Sequence, residues 1–173
     1  NRDDVKLWKP QREAILKLRD LLALRERLIT AQKSLQMPID EKISMGDKKG
    51  AEILRKGCHK SMTSLENEIG QIDKNLDDLI KNDPHLEELF RLAKSVPGIG
   101  KLTALFMICF TDEFSMYNNP KQLACYCGVA PFEHSSGSSV RGKTRVSHMA
   151  NKVLKHLLHL GAMSAIQWDP ELR

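Results

Sequence analysis

Aromatic side chains are scarce in this sequence, where Phe, Trp and Tyr make up 5% of 173 residues. No apolar run approaches the roughly 20 residues that a membrane-spanning helix needs, so we expect no membrane segment. The four cysteines include no CxxC pair, and no signal peptide pattern is recognisable. These features favour a reduced, cytoplasmic setting over a secreted or membrane-bound one.

Metal-ligating side chains are also sparse in the second half of the chain. Residues 96–173 contain five carboxylates, which are scattered along the sequence: Asp112, Glu113, Glu133, Asp169 and Glu171. A two-metal nuclease needs several carboxylates that converge on its ions. Cys125, Cys127 and His134 supply only three of the four ligands of a structural zinc site. His156 and His159 lie one helical turn apart without a matching carboxylate. We therefore predict no metal site in this chain.

The charge that is present is locally concentrated. The formal net charge is +5, with a pI near 9.0. Within residues 128–155 there are five basic residues and one acid, Glu133. A concentrated basic stretch favours a polyanionic partner such as nucleic acid.

Residues 1–83 are predicted to form a helical, coiled-coil region. Leucines at helical spacing indicate a first helix that starts near Pro10 and stops near Met37-Pro38. A second helix over residues 51–82 carries a heptad stripe, formed by Cys58, Met62, Leu65, Ile69, Ile72, Leu76 and Leu79. Such a helix cannot bury its stripe alone. An antiparallel hairpin with the first helix is the simpler solution, and pairing with a second chain is the alternative.

Residues 84–173 are predicted to form a compact helical domain. Pro84 suits the first turn of a helix that Asn82-Asp83 caps. The stretch "NNPKQLACYCG" indicates a short helix capped by Asn119 and ended by Gly128. A last helix is expected from about Ser147 to Ile166. We predict no strand, so the expected fold class is all-α.

The stretch "SVPGIGK" is the first motif that suggests chemistry. Gly98 and Gly100 permit a tight turn around Ile99, and Lys101 opens the next helix. Amides at a helix start favour phosphate, and the pattern resembles the helix-hairpin-helix element that grips the DNA backbone. A plain turn between two helices is the alternative.

The serine-rich stretch "HSSGSSVRGKTR" is the second such motif. Its hydroxyls are weak nucleophiles that need a base or an electrostatic clamp. Arg141, Lys143 and Arg145 could hold an attacked phosphate and stabilise developing charge. Composition and spacing alone favour a solvated loop that contacts nucleic acid over a reactive loop.

The order of these motifs resembles a known family. Seven features follow one another along the chain: "VPGIGKLTA", Phe114, "QLACYCG", a proline, "SG", a basic segment, and an asparagine followed by leucine and a basic residue. The series is similar to the C-terminal transposase domain of DEDD-type insertion-sequence transposases, the IS one-ten family. That family includes Piv-type invertases and bridge-RNA-guided recombinases. The similarity covers roughly residues 90–165, and "KLWKPQREAILKLRDLLALRERL" is similar to the start of the family's coiled coil.

The resemblance implies a division of labour. A serine of the transposase domain joins covalently to DNA, an N-terminal RuvC-like domain holds Mg²⁺ on an acidic tetrad, and the coiled coil assembles subunits into a homo-oligomer. A structured guide RNA bridges donor and target DNA. On this sequence the nucleophile is Ser136, with Ser135 the alternative because "SSG" leaves the register open. Arg141, Lys143, Arg145 and Asn151 are placed near nucleic acid.

Two positions depart from the family pattern. Ala150 stands where glycine is usual, and Lys155 where arginine is usual. No acidic tetrad precedes the coiled coil, so we expect a fragment that does not recombine DNA alone. The expected setting is the prokaryotic cytoplasm, at the nucleoid. The alternative function is a non-catalytic helix-hairpin-helix module for DNA binding or assembly.

Overall fold

The computed structural model describes residues 10–136, 140–146 and 148–171, and for residues 132–136 and 140–143 it describes the backbone alone. The fold divides between Asp83 and Pro84 into two compact units, here called unit 1 and unit 2. Among the described residues, no helix combines the length and the apolar character that crossing a membrane requires.

The described part of unit 1 consists of two long helices, α1 (Glu13–Ser44) and α2 (Lys48–Lys81). At 1.5 Å per residue each is roughly 50 Å long. A short turn joins them, in which Gly46 takes a φ of +78°. The carboxylate of Asp47 then caps α2 by accepting a hydrogen bond from the Gly50 amide at 2.9 Å.

The two helices pack antiparallel along their length. Arg25 Nε donates to Asp73 Oδ1 at 2.8 Å, and Gln32 Nε2 donates to Glu66 Oε1 at 3.3 Å, so the residue numbers rise on α1 as they fall on α2. All seven residues of the predicted heptad stripe are buried or half-buried, and Leu76 is fully buried. The seam is thus mainly apolar with polar pairs inserted. Coiled-coil geometry and pairing with a second chain stay predictions.

The predicted limits of the first helix were wrong at both ends. Pro10 precedes the helix, which begins at Glu13, and the helix runs past Pro38 to Ser44. A proline inside a helix removes one backbone hydrogen bond and usually ends it. Here Ile39, only 1% exposed, is buried directly after the proline. Its burial favours continuing the helix against the local preference of Pro38.

Among its described residues, unit 2 contains four helices and a two-stranded hairpin. The helices are α3 (Pro84–Lys94), α4 (Lys101–Phe110), α5 (Pro120–Tyr126) and α6 (Lys152–Trp168), and the strands are β1 (Phe132–Ser136) and β2 (Val140–Arg145). The predicted roles of Pro84, at the first turn of α3, and of Asn119, as the cap of α5, are confirmed. The last helix begins five residues later than expected.

The core of unit 2 is built around α4. Six of its ten residues are buried, and it packs against both α3 and α6. Leu86 of α3 and Leu154 of α6 are fully buried. A helix that is apolar on most sides is typical of a central core helix.

An unusual turn leaves α4. Asp112, Glu113 and Phe114 have φ values of 50°, 57° and 61°, although none is glycine. The hydroxyl of Thr111 is buried, accepts from the Phe114 amide at 2.9 Å and donates to the Met107 carbonyl at 2.7 Å. These bonds offset part of the strain that left-handed residues other than glycine carry.

The hairpin corrects the expectation that the chain has no strand. The chain is mostly helical, as predicted, but residues 132–136 and 140–145 pair as antiparallel strands with an irregularity between Phe132 and His134. Polar, serine-rich sequence lacks the alternation of apolar and polar residues that identifies a half-buried strand. A hairpin without such a pattern is not recognisable from periodicity.

Candidate nucleic-acid interface

The turn between α3 and α4, residues 95–100, lies directly against α6. Gly98 has a φ of +82°, and a Cβ there would lie 2.2 Å from the carbonyl oxygen of Gly161. A Cβ on Gly161 would lie 2.7 Å from the carbonyl oxygen of Gly98. Side chains rarely adopt such a φ and cannot occupy such a space. Packing alone therefore requires glycine at position 98.

The same turn forms one wall of an open cavity of about 380 Å³. Gly98, Ile99 and Gly100 line it, and Lys101 follows as the first residue of α4. Gly100 is the N-cap of α4 and has no side chain that could cap that helix. Amides at a helix start attract anions. The predicted residues 98–101 thus lie together at the start of α4, and phosphate binding there stays a prediction.

A second junction joins α5 to the start of α6. The amide of Asn151 donates to the Tyr126 carbonyl at 2.8 Å, and Asn151 Nδ2 donates to the Tyr126 hydroxyl at 3.1 Å. Asn151 Oδ1 also accepts from the amides of Val153 and Leu154, both at 3.1 Å. The side chain of Asn151, a predicted nucleic-acid contact, therefore caps α6 and ties it to α5.

Gly128 completes this junction. Its φ is +68°, and a Cβ there would lie 2.5 Å from the Cβ of Ala150 and 3.4 Å from Cδ of Lys155. The tyrosine and glycine of "QLACYCG" thus position the start of α6. The motif acts here through packing and hydrogen bonding.

The hairpin carries the predicted nucleophiles. Ser136 is the last residue of β1 and pairs with Val140, whereas Ser135 pairs with Arg141. Paired residues of antiparallel strands have Cα atoms about 4.5–5.5 Å apart, so the register places the Ser135 backbone beside that of Arg141. Lys143 lies in β2. The side chains of Ser135, Ser136, Arg141 and Lys143 lie outside the described part of the chain, as do Ser138 and Ser139 entirely.

Arg145, the last residue of β2, lines a cavity of about 470 Å³ at the start of α6. Three basic side chains that were not predicted as binding residues line it as well: His148, Lys152 and Lys155. The signal that could have found them is the spacing of Lys152 and Lys155, three residues apart in the first turn of a helix that has no acid there.

The Cys127 thiol and the Tyr117 phenol near the α5 junction are not activated. Burial raises the pKa of the Cys127 thiol, which keeps it neutral. Burial and the neighbouring Tyr126 raise the pKa of Tyr117 to about 12, and the two rings lie 5.2 Å apart. Within the described residues, no three His, Cys, Asp or Glu side chains are grouped so that they could hold a metal ion. The carboxylate oxygen Oε1 of Glu113 lies 3.7 Å from Nε2 of His85, which makes a pair and not a group of three.

Comparison with known proteins finds a family model that matches most of unit 2. Residues 90–173 match the model described as Transposase IS116/IS110/IS902 family. This match confirms, for that segment, the family resemblance that the motifs predicted.

Relatives with related names align with much of the chain. The pilin gene-inverting protein of Moraxella bovis is 29% identical over 160 residues, covering 91% of this chain and 46% of that protein. The transposase for insertion sequence element IS1111A of Coxiella burnetii is 31% identical over 74 residues, covering 43% of this chain and 20% of that protein. Since the alignment with the Moraxella relative covers 91% of this chain, the similarity extends beyond residues 90–173. The chain spans about half the length of that relative.

Proposed function

We propose that this chain is the C-terminal part of a DNA transposase or invertase, in which unit 2 binds DNA and a hairpin serine attacks it. The observation that carries this proposal is the match of residues 90–173 to the transposase family model. The gene-inverting relative supports it, because inverting a gene requires breaking and rejoining DNA. Since the chain spans 46% of that relative, we propose the activity for a longer protein of which this chain is a part.

The reaction assigned to Ser136 is a phosphoryl transfer. Its Oγ attacks the phosphorus of a DNA phosphodiester, an Oγ–P bond forms, and the bond from phosphorus to one deoxyribose oxygen breaks. The leaving oxygen takes up a proton, and the serine proton passes to a base. Arg141 and Lys143 stabilise the negative charge that develops on the phosphoryl oxygens. Ser135 is the alternative nucleophile, and its pairing with Arg141 in the strand register supports it.

A covalent adduct tests the nucleophile directly. The longer protein that contains this chain is incubated with its guide RNA and cognate DNA, and protein–DNA adducts are separated on a denaturing gel. We expect Ser136→Ala to abolish the adduct. Ser61→Ala, a substitution of an exposed α2 serine, is the control and should retain it. If Ser136→Ala forms adduct at the wild-type level and Ser135→Ala does not, Ser135 is the nucleophile.

The turn at residues 95–100 is proposed to hold the sugar–phosphate backbone. Gly100, the N-cap of α4, has no side chain that could cap the helix, and it lines the adjoining cavity together with Gly98 and Ile99. Contacts of this kind position a protein on DNA without reading sequence. Lys101 adds positive charge at the same helix start. We propose this turn as a helix-hairpin-helix element.

Unit 1 is proposed to assemble copies of the protein. Large apolar side chains remain exposed near its inter-helix turn, including Met45 at 78% and Ile53 at 72% exposure. Contact with a second copy would cover them. We expect the double variant Met45→Ser, Ile53→Ser to lower the mass measured by light scattering, whereas the exposed-lysine variant Lys74→Ser should not.

The remaining partners follow from the family resemblance. We propose that a structured guide RNA binds the longer protein, and that a further acidic domain holds Mg²⁺. The described residues of this chain offer no cluster of ligands for that ion, so no step here is assigned to it. DNA as substrate would place the protein at the nucleoid.

A non-catalytic DNA-binding module is the second candidate function. The cavity at residues 94–100 favours it, since phosphate binding there needs no serine. This candidate predicts DNA binding without any adduct, whichever serine is replaced.

A further inference from the structure

A basic cavity lies where β2 leads into α6. It has a volume of about 470 Å³, within the range of ligand sites in proteins. Its lining residues are Arg145, Val146, His148, Ala150, Lys152 and Lys155. We propose that this cavity binds a phosphodiester group of the DNA backbone through the Lys152 and Lys155 ammonium groups and the Arg145 guanidinium. The inference rests on the proposed DNA-binding function and adds a defined contact site to it.

The cations of the cavity are available to a ligand. Arg145, Lys152 and Lys155 are exposed, and none is paired with a carboxylate among the side chains that the structure describes. The stem of Lys155 lies over Gly128, where a Cβ would come within 3.4 Å of Cδ. Gly128 thus leaves room for the Lys155 stem to lie along the cavity wall.

These charges oppose the stability of the helix that carries them. The N-terminus of an α-helix has partial positive charge, so lysines in its first turn are unfavourable and acids are favourable. Lys152 is the first residue of α6, Lys155 follows three residues later, and the first turn contains no acid. A sequence selected for helix stability alone would place carboxylates there. The arrangement is favourable once an anion occupies the cavity.

Side chains, and not free helix amides, supply the binding groups. Asn151 Oδ1 accepts hydrogen bonds from the amides of Val153 and Leu154, so the cap of α6 is already made within the protein. The ligand is therefore held by flexible cations that suit the repeating phosphates of a nucleic acid. Since Arg145 ends β2, the site lies at the base of the hairpin that carries the proposed nucleophile.

Charge-neutral variants test the site. Binding of the 173-residue chain to a short labelled DNA duplex of arbitrary sequence is measured by fluorescence anisotropy at several salt concentrations. Lys152→Gln with Lys155→Gln is compared with Lys60→Gln with Lys74→Gln, a control on α2 that removes the same net charge from exposed lysines. Thermal unfolding of each variant is followed by circular dichroism, and an RNA duplex replaces DNA in a parallel series.

We expect the cavity variant to bind DNA about tenfold more weakly, because it loses charge-assisted hydrogen bonds to phosphate. The slope of log K against log salt should become shallower by about one for each phosphate that the protein no longer neutralises. Its melting temperature should stay unchanged or rise. The control should keep the wild-type slope and lose little affinity.

Any of four outcomes would overturn the inference. The first is wild-type affinity and slope in the cavity variant; the second is a loss of binding no larger than that of the control. The third is a loss accompanied by a fall in melting temperature, which would assign the lysines a structural role. If only RNA binding weakens, the phosphate belongs to RNA and the assignment to DNA fails. Absence of nucleic-acid binding by the wild-type chain would instead contradict the proposed function.

Discussion

Gly98 and Gly161 meet backbone to backbone, each at a distance that excludes a Cβ on the other. A Cβ on Gly98 would lie 2.2 Å from the Gly161 carbonyl oxygen, and a Cβ on Gly161 would lie 2.7 Å from the Gly98 carbonyl oxygen. The contact joins the turn at residues 95–100 to the middle of α6. The two glycines of this turn thus differ: Gly98 is required by packing, whereas nothing lies within 4 Å of a Cβ placed on Gly100.

Alanine at position 98 should destabilise unit 2 strongly. Gly98→Ala places a Cβ against the Gly161 carbonyl and forces a φ of +82° on a residue with a side chain. We expect a loss of about 2–4 kcal/mol in the free energy of unfolding, measured by urea denaturation.

Gly100→Ala is the matched control for that substitution. Its backbone is extended at the N-cap of α4 and its surroundings are open, so the loss should stay below about 1 kcal/mol. Equal losses for the two variants would contradict the packing role of Gly98. If Gly100→Ala keeps its stability but weakens DNA binding, the close approach of a phosphate to this turn is supported.

Asn151 should contribute to stability independently of any ligand. Asn151→Ala removes the acceptor of the Val153 and Leu154 amides and the donor to the Tyr126 hydroxyl. Loss of an N-cap costs about 0.5–2 kcal/mol, so thermal unfolding should occur at a lower temperature.

Aspartate at position 151 separates capping from ligand contact. Asn151→Asp retains a capping oxygen and places a negative charge at a favourable helix end. We expect near wild-type stability, within about 0.5 kcal/mol, together with weaker DNA binding because of the added charge. Unchanged DNA affinity in this variant would argue against nucleic acid near the start of α6.

The cap of α2 should be sensitive to acid. The hydrogen bond from the Gly50 amide, and then the neighbouring Lys42, lower the pKa of Asp47 below its ordinary value of 3.8. A lowered folded-state pKa contributes stability that is present above 3.8 and is lost as pH falls through the folded pKa.

Asp47→Asn provides the comparison, because asparagine also caps helices but does not titrate in acid. Melting temperatures of the two proteins are measured between about pH 6 and roughly pH 2, below the ordinary carboxyl range. The wild-type advantage over Asp47→Asn should shrink as pH falls below about 4, where the Asp47 carboxylate becomes protonated. A constant difference across this range would mean that the Asp47 carboxylate does not contribute to pH-dependent stability.

Removing the proline inside α1 should stabilise unit 1. Pro38 has no amide to donate to the Ser34 carbonyl four residues earlier, and its ring disfavours the preceding turn. We expect Pro38→Ala to raise the free energy of unfolding by about 1–3 kcal/mol. Lys33→Ala, at an exposed position of the same helix, should change it by less than about 0.5 kcal/mol. A loss of stability in Pro38→Ala would show that the proline is favourable where it stands.

Patterns with a clear physical period were predictable from the sequence. The stripe from Cys58 to Leu79 has a heptad period, and each of its members is buried or half-buried in α2. The cap at Asn119 and the helix start at Pro84 were predictable because their chemistry is local. The end of α1 was predicted wrongly at Pro38, because the helix continues through the burial of Ile39. That burial depends on a partner helix, which the local sequence does not reveal.

The candidate site was only partly predictable. The glycines of "PGIG" indicated a tight turn, but their sequence could not reveal Gly161 as the neighbour of Gly98, which lies 63 positions away in the chain. The serine-rich stretch has no apolar alternation, and its pairing into strands depends on backbone hydrogen bonds that any polar sequence can make. Lys152 and Lys155 became candidates only when the cavity brought them together with Arg145.

The two hydrogen bonds between Tyr126 and Asn151 have a consequence for the hairpin. They join two positions 25 residues apart, so the chain leaves and re-enters the helical core at one point. We therefore expect that a change in the length or sequence of the intervening hairpin would leave α5 and α6 in place.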